Sequence, residues 1–392
     1  MGLKPKSSRG PGREARATTD WRLVRPLDGC FNYVLPAFVV SKPESPRPAP
    51  PVIRSVAEFA RHVGLARTTV SRVINGQPGL KAKTIARVQQ AMERTGFTPN
   101  AHALHLKGKH TATIGFCMET LLTPTAVLKL AGLQRRLRER GYSSLIEVLE
   151  PGGSRRVIRH FLSLRVDAVI FIGHFVEEEI AQRVRELETH ATPNLVIDQI
   201  GIPGANTVAL DRARGMRELV GHLLKFDHTL FGLLGITGMT RSVRDRVSGI
   251  EAALAARNLT FGGATRSLDP LHARENDFEY GRALAHNFAK EKQRPTAFVA
   301  LNDEIAIGAL HGFQEVGLRV PRDVSVAGFN NQDICLMPTP GLTSVDQQIQ
   351  RTVETAADLL LGRIGRPPGP RPVVRLIEPL LVVRDSTGPA PH

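Results

Sequence analysis

The amino-acid sequence predicts an α/β protein with a small all-helical head and a larger core of parallel sheets that carry helices on their faces. Between residues 53 and 98, apolar residues recur at helical spacing in three short segments. From residue 111, short apolar runs alternate with longer amphipathic segments, which is typical of repeated βα units. The 392 residues are 42% hydrophobic, which is enough for two or three domains with proper cores.

The three helices of the head are predicted to form a helix-turn-helix unit. Gly64 supplies the tight turn between the first two helices, and Gly96 ends the third, which starts near Ala82. The apolar inner faces consist of Val56, Phe59, Ala60 and Val63 in the first helix and of Val70, Val73 and Ile74 in the second. An ordinary surface hairpin of helices is the alternative interpretation.

The exposed face of the second helix carries side chains that suit DNA. Arg67, Thr68, Ser71 and Arg72 are predicted to point away from the core of the head. Arginine binds guanine through two hydrogen bonds, and serine and threonine bond bases or phosphates. This pattern predicts that the helix contacts base edges in the major groove.

Charge is concentrated in the same region of the chain. The whole chain carries a formal net charge of +15, and residues 53–110 hold ten basic side chains against two acidic ones. Residues 1–51 carry +5, so the segment from residue 111 onward carries only about +2. Basicity gathered around one helical unit predicts a phosphate-binding surface.

Several classes of protein are excluded by what the sequence lacks. It contains no run of 18 apolar residues, so we expect no membrane contact. Cys30, Cys117 and Cys335 are too far apart for a zinc motif or a disulfide framework, which favours a reducing cytoplasm and neither metal nor cofactor. Phosphate-binding loops, His-Glu-x-x-His and Gly-x-Ser-x-Gly are also absent, so we expect no enzyme.

The first 52 residues are a different kind of sequence. They are rich in proline and arginine, which predicts a disordered extension that is either a basic arm contacting DNA or an inert tail. An apolar patch at residues 30–40 is interrupted by Asn32 and Pro36, and no Ala-x-Ala site follows it. We therefore do not expect this patch to be a secretion signal.

The core is predicted to contain two series of βα units and hence two lobes. Ligands of such sheets bind at the carboxyl ends of the strands, so the cleft between the lobes is the expected ligand site. The first series predicts strands at 113–117, 144–149, 168–172 and 194–197, with helices near 127–141, 154–164 and 177–190. The second predicts strands at 230–234, 297–301 and 324–327, with helices near 212–226, 242–257, 275–290 and 304–316.

Taken together, the motifs resemble the LacI/GalR family of transcription regulators from Arg54 to Thr387. The segments that carry the resemblance are the helix-turn-helix at 63–76, a hinge at 98–108, an Asn-Asp turn within 296–310, and the stretches 320–329 and 381–388. The resemblance implies a helix-turn-helix domain at 53–98, a hinge at 99–110, and a two-lobed, periplasmic-binding-protein-like domain at 111–388 for effector binding and dimerisation.

The same resemblance implies a repressor that binds a near-palindromic operator as a homodimer and responds to a small molecule, a sugar or sugar acid, in the cleft. The chain ends soon after its final strand without a leucine-heptad tail, which predicts a dimer rather than a tetramer. A solute-binding protein with the same core fold is the alternative, and the basic helical head argues against it.

The resemblance also assigns DNA contacts outside the exposed helix face. Asn75, Asn100 and Ala103 match DNA-contacting positions of the family, and Leu106 stands at the position of a leucine that wedges into the minor groove at the operator centre. A plain buried residue is the alternative for Leu106. Leu104 replaces an arginine that is usual in the family hinge, so one polar contact is missing.

In the cleft, the resemblance assigns effector binding to Asp198, Arg246, Asn302, Phe329 and Asn330. Arg246 matches an arginine that clamps the ligand. Asn330 replaces a common aspartate, and the loss of that charge indicates an effector other than a simple neutral sugar. Asp211 is either a ligand residue or the cap of the next helix. The segment 121–126 lacks the usual aromatic residue.

Overall fold

The computed structural model describes residues 53–74, 77–98, 110–238, 240–268, 276–366 and 371–391. The chain divides into two compact units, of which the first ends at Pro99 and the second begins at Asn100. The N-terminal extension, Asn75, and the hinge positions Asn100, Ala103 and Leu106 lie outside the described residues.

The first unit contains three helices, as the sequence predicted. They are α1 (Val56–Val63), α2 (Arg67–Ile74) and α3 (Ala82–Thr95). Ser55 caps α1 by accepting a hydrogen bond from the N–H of Glu58, and Gly64 ends this helix in the left-handed conformation at φ 68°. The small core joins the helices around a stacked pair of rings, Phe59 and Phe97, whose centroids are 4.4 Å apart.

The second unit holds two sheets, each of six strands in its described part. The first sheet has the order β11-β5-β4-β3-β1-β2, and all of its pairings are parallel. Its strands are β1 (Thr113–Met118), β2 (Ser143–Val148), β3 (Ala168–Ile172), β4 (Asn194–Ile197), β5 (Thr207–Leu210) and β11 (Val374–Ile377). The accompanying helices are α4 (Pro124–Glu139), α5 (Ser154–Ser163), α6 (Glu177–Thr189) and α12 (Ile349–Leu361).

The second sheet has the order β12-β10-β9-β8-β6-β7 and is parallel except where β12 pairs with β10. Its strands are β6 (Phe231–Leu234), β7 (Thr265–Ser267), β8 (Ala297–Ala300), β9 (Ser325–Asn330), β10 (Thr343–Asp346) and β12 (Leu380–Val382). The helices of this lobe are α7 (Arg212–Leu224), α8 (Arg241–Ala255), α9 (Phe261–Ala264), α10 (Asp277–Phe288) and α11 (Asp303–Glu315).

The chain passes between the two sheets three times, after β5, after β10 and between β11 and β12. One buried apolar cluster spans both lobes, because Ile114 and Leu195 of the first sheet belong to the same cluster as Phe231 and Val345 of the second. The segments that cross between the sheets therefore lie next to an apolar core that both lobes share. The carboxyl ends of the parallel strands border the space between the lobes.

The predicted α/β class and the two parallel-sheet lobes are confirmed. Strands β1 to β4, β6, β8 and β9 lie where the sequence predicted them. The first change of lobe was predicted, at the helix near 212–226, but β5, β7, β10, β11, β12, α9 and α12 were not, so the two later changes of lobe were missed. Within the described residues, no helix is both long and apolar enough to cross a membrane.

Helices α10 and α11 pack unusually closely because glycines face backbone across their contact. A Cβ on Gly308 would lie 1.9 Å from the carbonyl oxygen of Phe278, and one on Gly281 would lie 2.0 Å from that of Ile305. A methyl group fits in neither place without moving one helix.

We predict that Gly308→Ala lowers the free energy of unfolding by about 1–3 kcal/mol, because the helices must separate. Gly221→Ala in α7 is the matched control, since a Cβ there meets nothing within 4 Å. That control is expected to be neutral or to stabilise the protein by up to about 1 kcal/mol. Thermal unfolding of the two variants tests this, and equal midpoints would contradict the close packing.

Candidate functional site

The second helix of the first unit presents a polar face. Val70 is buried, while Arg67, Thr68 and Arg72 are exposed and Ser71 is half-buried. The side chains predicted to contact DNA therefore share one face of α2, opposite the side that packs on the small core. The first turn of α2 contains no acidic side chain that would repel phosphate.

Two arginines fix the surroundings of this face. Arg87 of α3 donates a hydrogen bond of 2.5 Å from Nη2 to the carbonyl oxygen of Val63, at the end of α1. Arg72 donates a hydrogen bond of 3.0 Å from Nη2 to the carbonyl oxygen of Pro78, in the loop after α2. The guanidinium of Arg72 is thus oriented by backbone and keeps further N–H donors for another partner.

A cleft of about 240 Å³ lies between the lobes at the carboxyl ends of the strands. Side chains from both lobes line it, and most of them are polar. The lining consists of Glu119, Thr120, Thr123, Thr125, Ala126, Lys129, Ile172, Gly173, His174, Asp198, Arg212, Ser242, Arg246, Leu301, Asn302, Asn330 and Gln347.

Lys129 places an ammonium group in the wall of the cleft at only 1% exposure. Its Nζ donates to both carboxylate oxygens of Asp198, at 2.6 and 2.8 Å, and to Oε1 of Gln347 at 2.9 Å. Three donors thus meet three acceptors, which is the full requirement of a protonated lysine. Because Asp198 follows β4 and Gln347 follows β10, the ammonium ties the first lobe to a crossing segment.

Arg212, the first residue of α7, holds Asp198 from the other side. Its Nη1 donates to the main-chain oxygen of Asp198 at 2.9 Å, and its Nη2 lies 3.4 Å from Oδ1 of the same residue. Burial alone would raise the pKa of Asp198, but Lys129 and Arg212 more than offset burial and lower that pKa to about 2. The carboxylate is therefore ionised at neutral pH.

His174 lies beside Arg212, with Nε2 3.4 Å from Nη2 of the arginine. Burial and the nearby guanidinium lower the pKa of His174 to about 3, so the imidazole is neutral and adds no charge to the cleft. Its Nδ1 is buried and has no hydrogen-bond partner among the described residues.

Arg246 enters the cleft from α8. Its guanidinium carbon lies 4.3 Å from the centroid of the Phe329 ring, and its Nη1 donates to the main-chain oxygen of Ser242 at 3.1 Å and to the hydroxyl of the same serine. Burial, reinforced by Arg212, lowers the pKa of Arg246 to about 9, which leaves it charged at pH 7.

The two asparagines in the cleft differ in how their amides are used. Asn302 caps α11 by accepting from the N–H of Ile305 at 2.9 Å, and it donates to Asp277 at 2.6 Å. Asn330 lines the cleft and accepts a hydrogen bond from Nε2 of Gln347 through Oδ1, while its amide nitrogen donates to no other described residue. Asn302 is thus committed to the fold, whereas Asn330 offers a donor.

A basic helical face in one unit and a polar inter-lobe cleft in the other are also the two parts in which this chain is similar to known proteins. The model of bacterial regulatory proteins of the lacI family matches residues 55–100, and that of the periplasmic binding protein-like domain matches residues 220–387. The transcriptional repressor PurR of Aliivibrio fischeri (strain ATCC 700601 / ES114) is 30% identical over 344 residues, which cover 85% of this chain and 98% of that protein.

The chain belongs to the LacI family of bacterial regulatory proteins. The transcriptional regulator DegA of Bacillus subtilis (strain 168) is 27% identical over 338 residues, covering 86% of this chain and 98% of that protein. A structure of the lac repressor dimer bound to operator and the anti-inducer ONPF matches with a TM-score of 0.72 and 25% identity, over 86% of this chain and 99% of that one. These relatives are transcriptional regulators and not enzymes. They confirm the prediction from the sequence that this LacI-family chain is a regulator and not an enzyme.

The structure brings four of the five predicted effector residues to the cleft, namely Asp198, Arg246, Asn302 and Asn330. Phe329 is fully buried and lies behind Arg246, so it supports the guanidinium rather than forming part of the lining. Asp211 is a helix cap, since Oδ1 accepts from the N–H of Arg214 at 2.9 Å. In the segment 121–126, which lacks the usual aromatic residue, Thr123 and Thr125 line the cleft.

Lys129, Arg212 and Gln347 also line the cleft, and none of them was predicted from the sequence. Lys129 carried a usable signal, because it lies four residues before Leu133 and one before Leu130 on the apolar face of α4. A lysine at such a position indicates one of two things. Either the predicted register of the helix is wrong, or the ammonium group is buried and needs a hydrogen-bonding partner of opposite charge. Gln347 lies between β10 and α12, and neither element was predicted from the sequence.

We predict that Asp198→Asn lowers the free energy of unfolding by about 3–5 kcal/mol, because it leaves a buried ammonium without its carboxylate. In the double variant with Lys129→Met, the loss should be smaller than the sum of the single losses by roughly 0.5–3 kcal/mol. Denaturant unfolding of the two single variants and the double variant at pH 7 measures this coupling. Strictly additive losses would contradict the buried pair.

The same pair has a defined pH dependence. The folded pKa of Asp198, about 2, is below the ordinary value of 3.8, so its stabilisation is complete above pH 3.8 and is lost as the pH falls towards 2. The wild type and Asp198→Asn should therefore converge in stability over that interval. If the difference in free energy of unfolding between the two proteins does not change with pH, ionisation of Asp198 is not the cause of the stabilisation.

Proposed function

We propose that this LacI-family chain is a ligand-responsive repressor that binds a near-palindromic operator as a homodimer. Its effector is a small molecule, a sugar or sugar acid, that occupies the inter-lobe cleft. The cytoplasm, where operator DNA is accessible, is its proposed location. The observation that carries the proposal is the polar face of α2, on which Arg67, Thr68 and Arg72 are exposed beside a packed three-helix core.

The charge of the first unit supports DNA as the partner. Residues 53–110 hold ten basic side chains against two acidic ones, and the described basic residues of α2 and α3 are exposed. Such a surface neutralises phosphates in any sequence, whereas guanidinium groups on a helix in the major groove discriminate between bases. Arg72 is suited to the second task because the carbonyl of Pro78 orients it.

The homodimer is supported by an exposed apolar surface on the first lobe. Strand β2 is the edge of its sheet and exposes Ile146 and Val148, while α4 exposes Val127 and Leu128. An edge strand with apolar side chains is a surface that proteins normally cover. A second copy of this chain, placed by two-fold symmetry, would cover it and present two reading helices to a palindrome.

The cleft supports a small-molecule effector. It lies between two lobes that share three crossings, and its walls carry polar side chains from both. A ligand that contacts both walls binds more tightly to one arrangement of the lobes than to another, and such differential affinity shifts a conformational equilibrium. This is the proposed origin of regulation.

We predict that Arg72→Ala weakens binding to the preferred DNA by about 10–100-fold and binding to random DNA much less, because the guanidinium reads bases. Duplexes selected by the full-length chain from a random library supply the preferred sequence, and fluorescence anisotropy measures both affinities. Arg257→Ala, at an exposed arginine of the other unit, is the control and should change neither affinity. Equal losses on both DNAs would contradict base recognition.

A further inference from the structure

The charges that line the cleft do not balance. Lys129, Arg212 and Arg246 are each at most 5% exposed, and they face two carboxylates, those of Asp198 and of Glu119 at the rim. Asp198 serves both Lys129 and Arg212 through the contacts described above. With His174 neutral, three cations thus face two carboxylates in the described lining, and Arg246 is the one of the three that makes no ion pair with a described residue.

Arg246 has no carboxylate partner among the described residues. Its neighbour Asp245 binds Nε of Arg241 at 3.0 Å, and the bonds of Arg246 itself go to Ser242. Its Nε is buried without a hydrogen-bond partner, as is Nε of Arg212. Burying an unpaired guanidinium costs free energy unless an anion pairs with it. The planar set of N–H donors of a guanidinium matches a carboxylate through two parallel hydrogen bonds.

The remaining groups of the lining define the rest of the ligand. The amide nitrogen of Asn330 and the hydroxyls of Thr120, Thr123 and Ser242 offer bonds that suit hydroxyl groups. Among the described residues, the lining includes no Phe, Tyr or Trp on which a flat base would stack. At about 240 Å³, the cleft is smaller than pockets for drug-sized ligands, which span about 300–1,000 Å³.

We propose that the effector is a polyhydroxylated monocarboxylate of monosaccharide size, with its carboxylate on Arg246 and a hydroxyl on Asn330. This assignment rests on the proposed function, since it names the class of molecule that the regulatory cleft binds. One excess positive charge matches a monoanion, whereas a phosphate monoester brings a charge of about −1.5 to −2 at pH 7.

The test is a panel of six-carbon aldonates and hexuronates, each compared with its parent neutral sugar and with the 6-phosphate of that sugar. Thermal unfolding of the full chain finds binders, and calorimetric titration measures their dissociation constants. We expect at least one acid to bind about 10–100-fold more tightly than its parent sugar, because its bond to Arg246 is charge-assisted. A parent sugar or phosphate that binds as tightly as the acid overturns the proposal, and so does a panel in which no acid binds.

Two variants locate the carboxylate. Arg246→Gln should abolish the preference for the acid, so that the acid and its parent sugar bind with dissociation constants within a few-fold of each other. Asn330→Asp keeps Arg246 in place and adds a negative charge, so it should weaken the acid about 10-fold or more relative to the parent sugar. Arg257→Gln is the control, with no expected change. Equal effects on the acid and the sugar in both cleft variants overturn the assignment.

Failure of this inference is distinguishable from failure of the proposed function. Binding of an acid with the expected response to both cleft variants supports the inference even where DNA affinity does not change. An acid that binds in the cleft but leaves the affinity for DNA unchanged would contradict only the regulatory role. Conversely, a neutral sugar that binds in the cleft and changes DNA affinity overturns the inference and supports regulation.

Discussion

The buried ammonium of Lys129 is the constraint from which the organisation of the large unit follows. A full charge in the interior is tolerated only where counter-charge and hydrogen bonds are complete. Asp198 supplies the carboxylate from the end of β4, Gln347 supplies an amide oxygen from the segment after β10, and Arg212 fixes the carboxylate from the start of α7. Neutralising one lysine therefore joins the first lobe to two of the three segments at which the chain changes lobes.

The same network determines what the cleft has left to offer. Asp198 is consumed by two internal cations, Gln347 is shared between Lys129 and Asn330, and Asn302 is committed to capping α11. What remains for a ligand is mainly donors, with Arg246 as the strongest. The acceptors Asp198 and Gln347 are used to balance buried cations, and this stabilises the lobes. For the same reason the cleft is left mainly with donors, and these select the ligand.

Periodicity and turn chemistry predicted much of the fold. The helical spacing around Gly64 predicted α1 and α2, and the alternation of apolar runs with amphipathic segments predicted the strands that lie at the centre of each sheet. The strands β5, β10 and β11 were missed, because each is only four residues long and carries little local signal. Arg246 and Asn330 could be placed in the cleft by resemblance alone. Lys129 could not, because its partners Asp198 and Gln347 are 69 and 218 residues away.

The central claim is that occupancy of the cleft and affinity for DNA are linked, and reciprocity tests it most directly. Full-length chain is titrated with its selected duplex in the absence and in the presence of saturating cleft ligand, and the ligand is titrated with and without the duplex. Each partner is expected to change the dissociation constant of the other by the same factor, about 5–150-fold, as linkage requires. Ligand binding that is identical with and without DNA would contradict it.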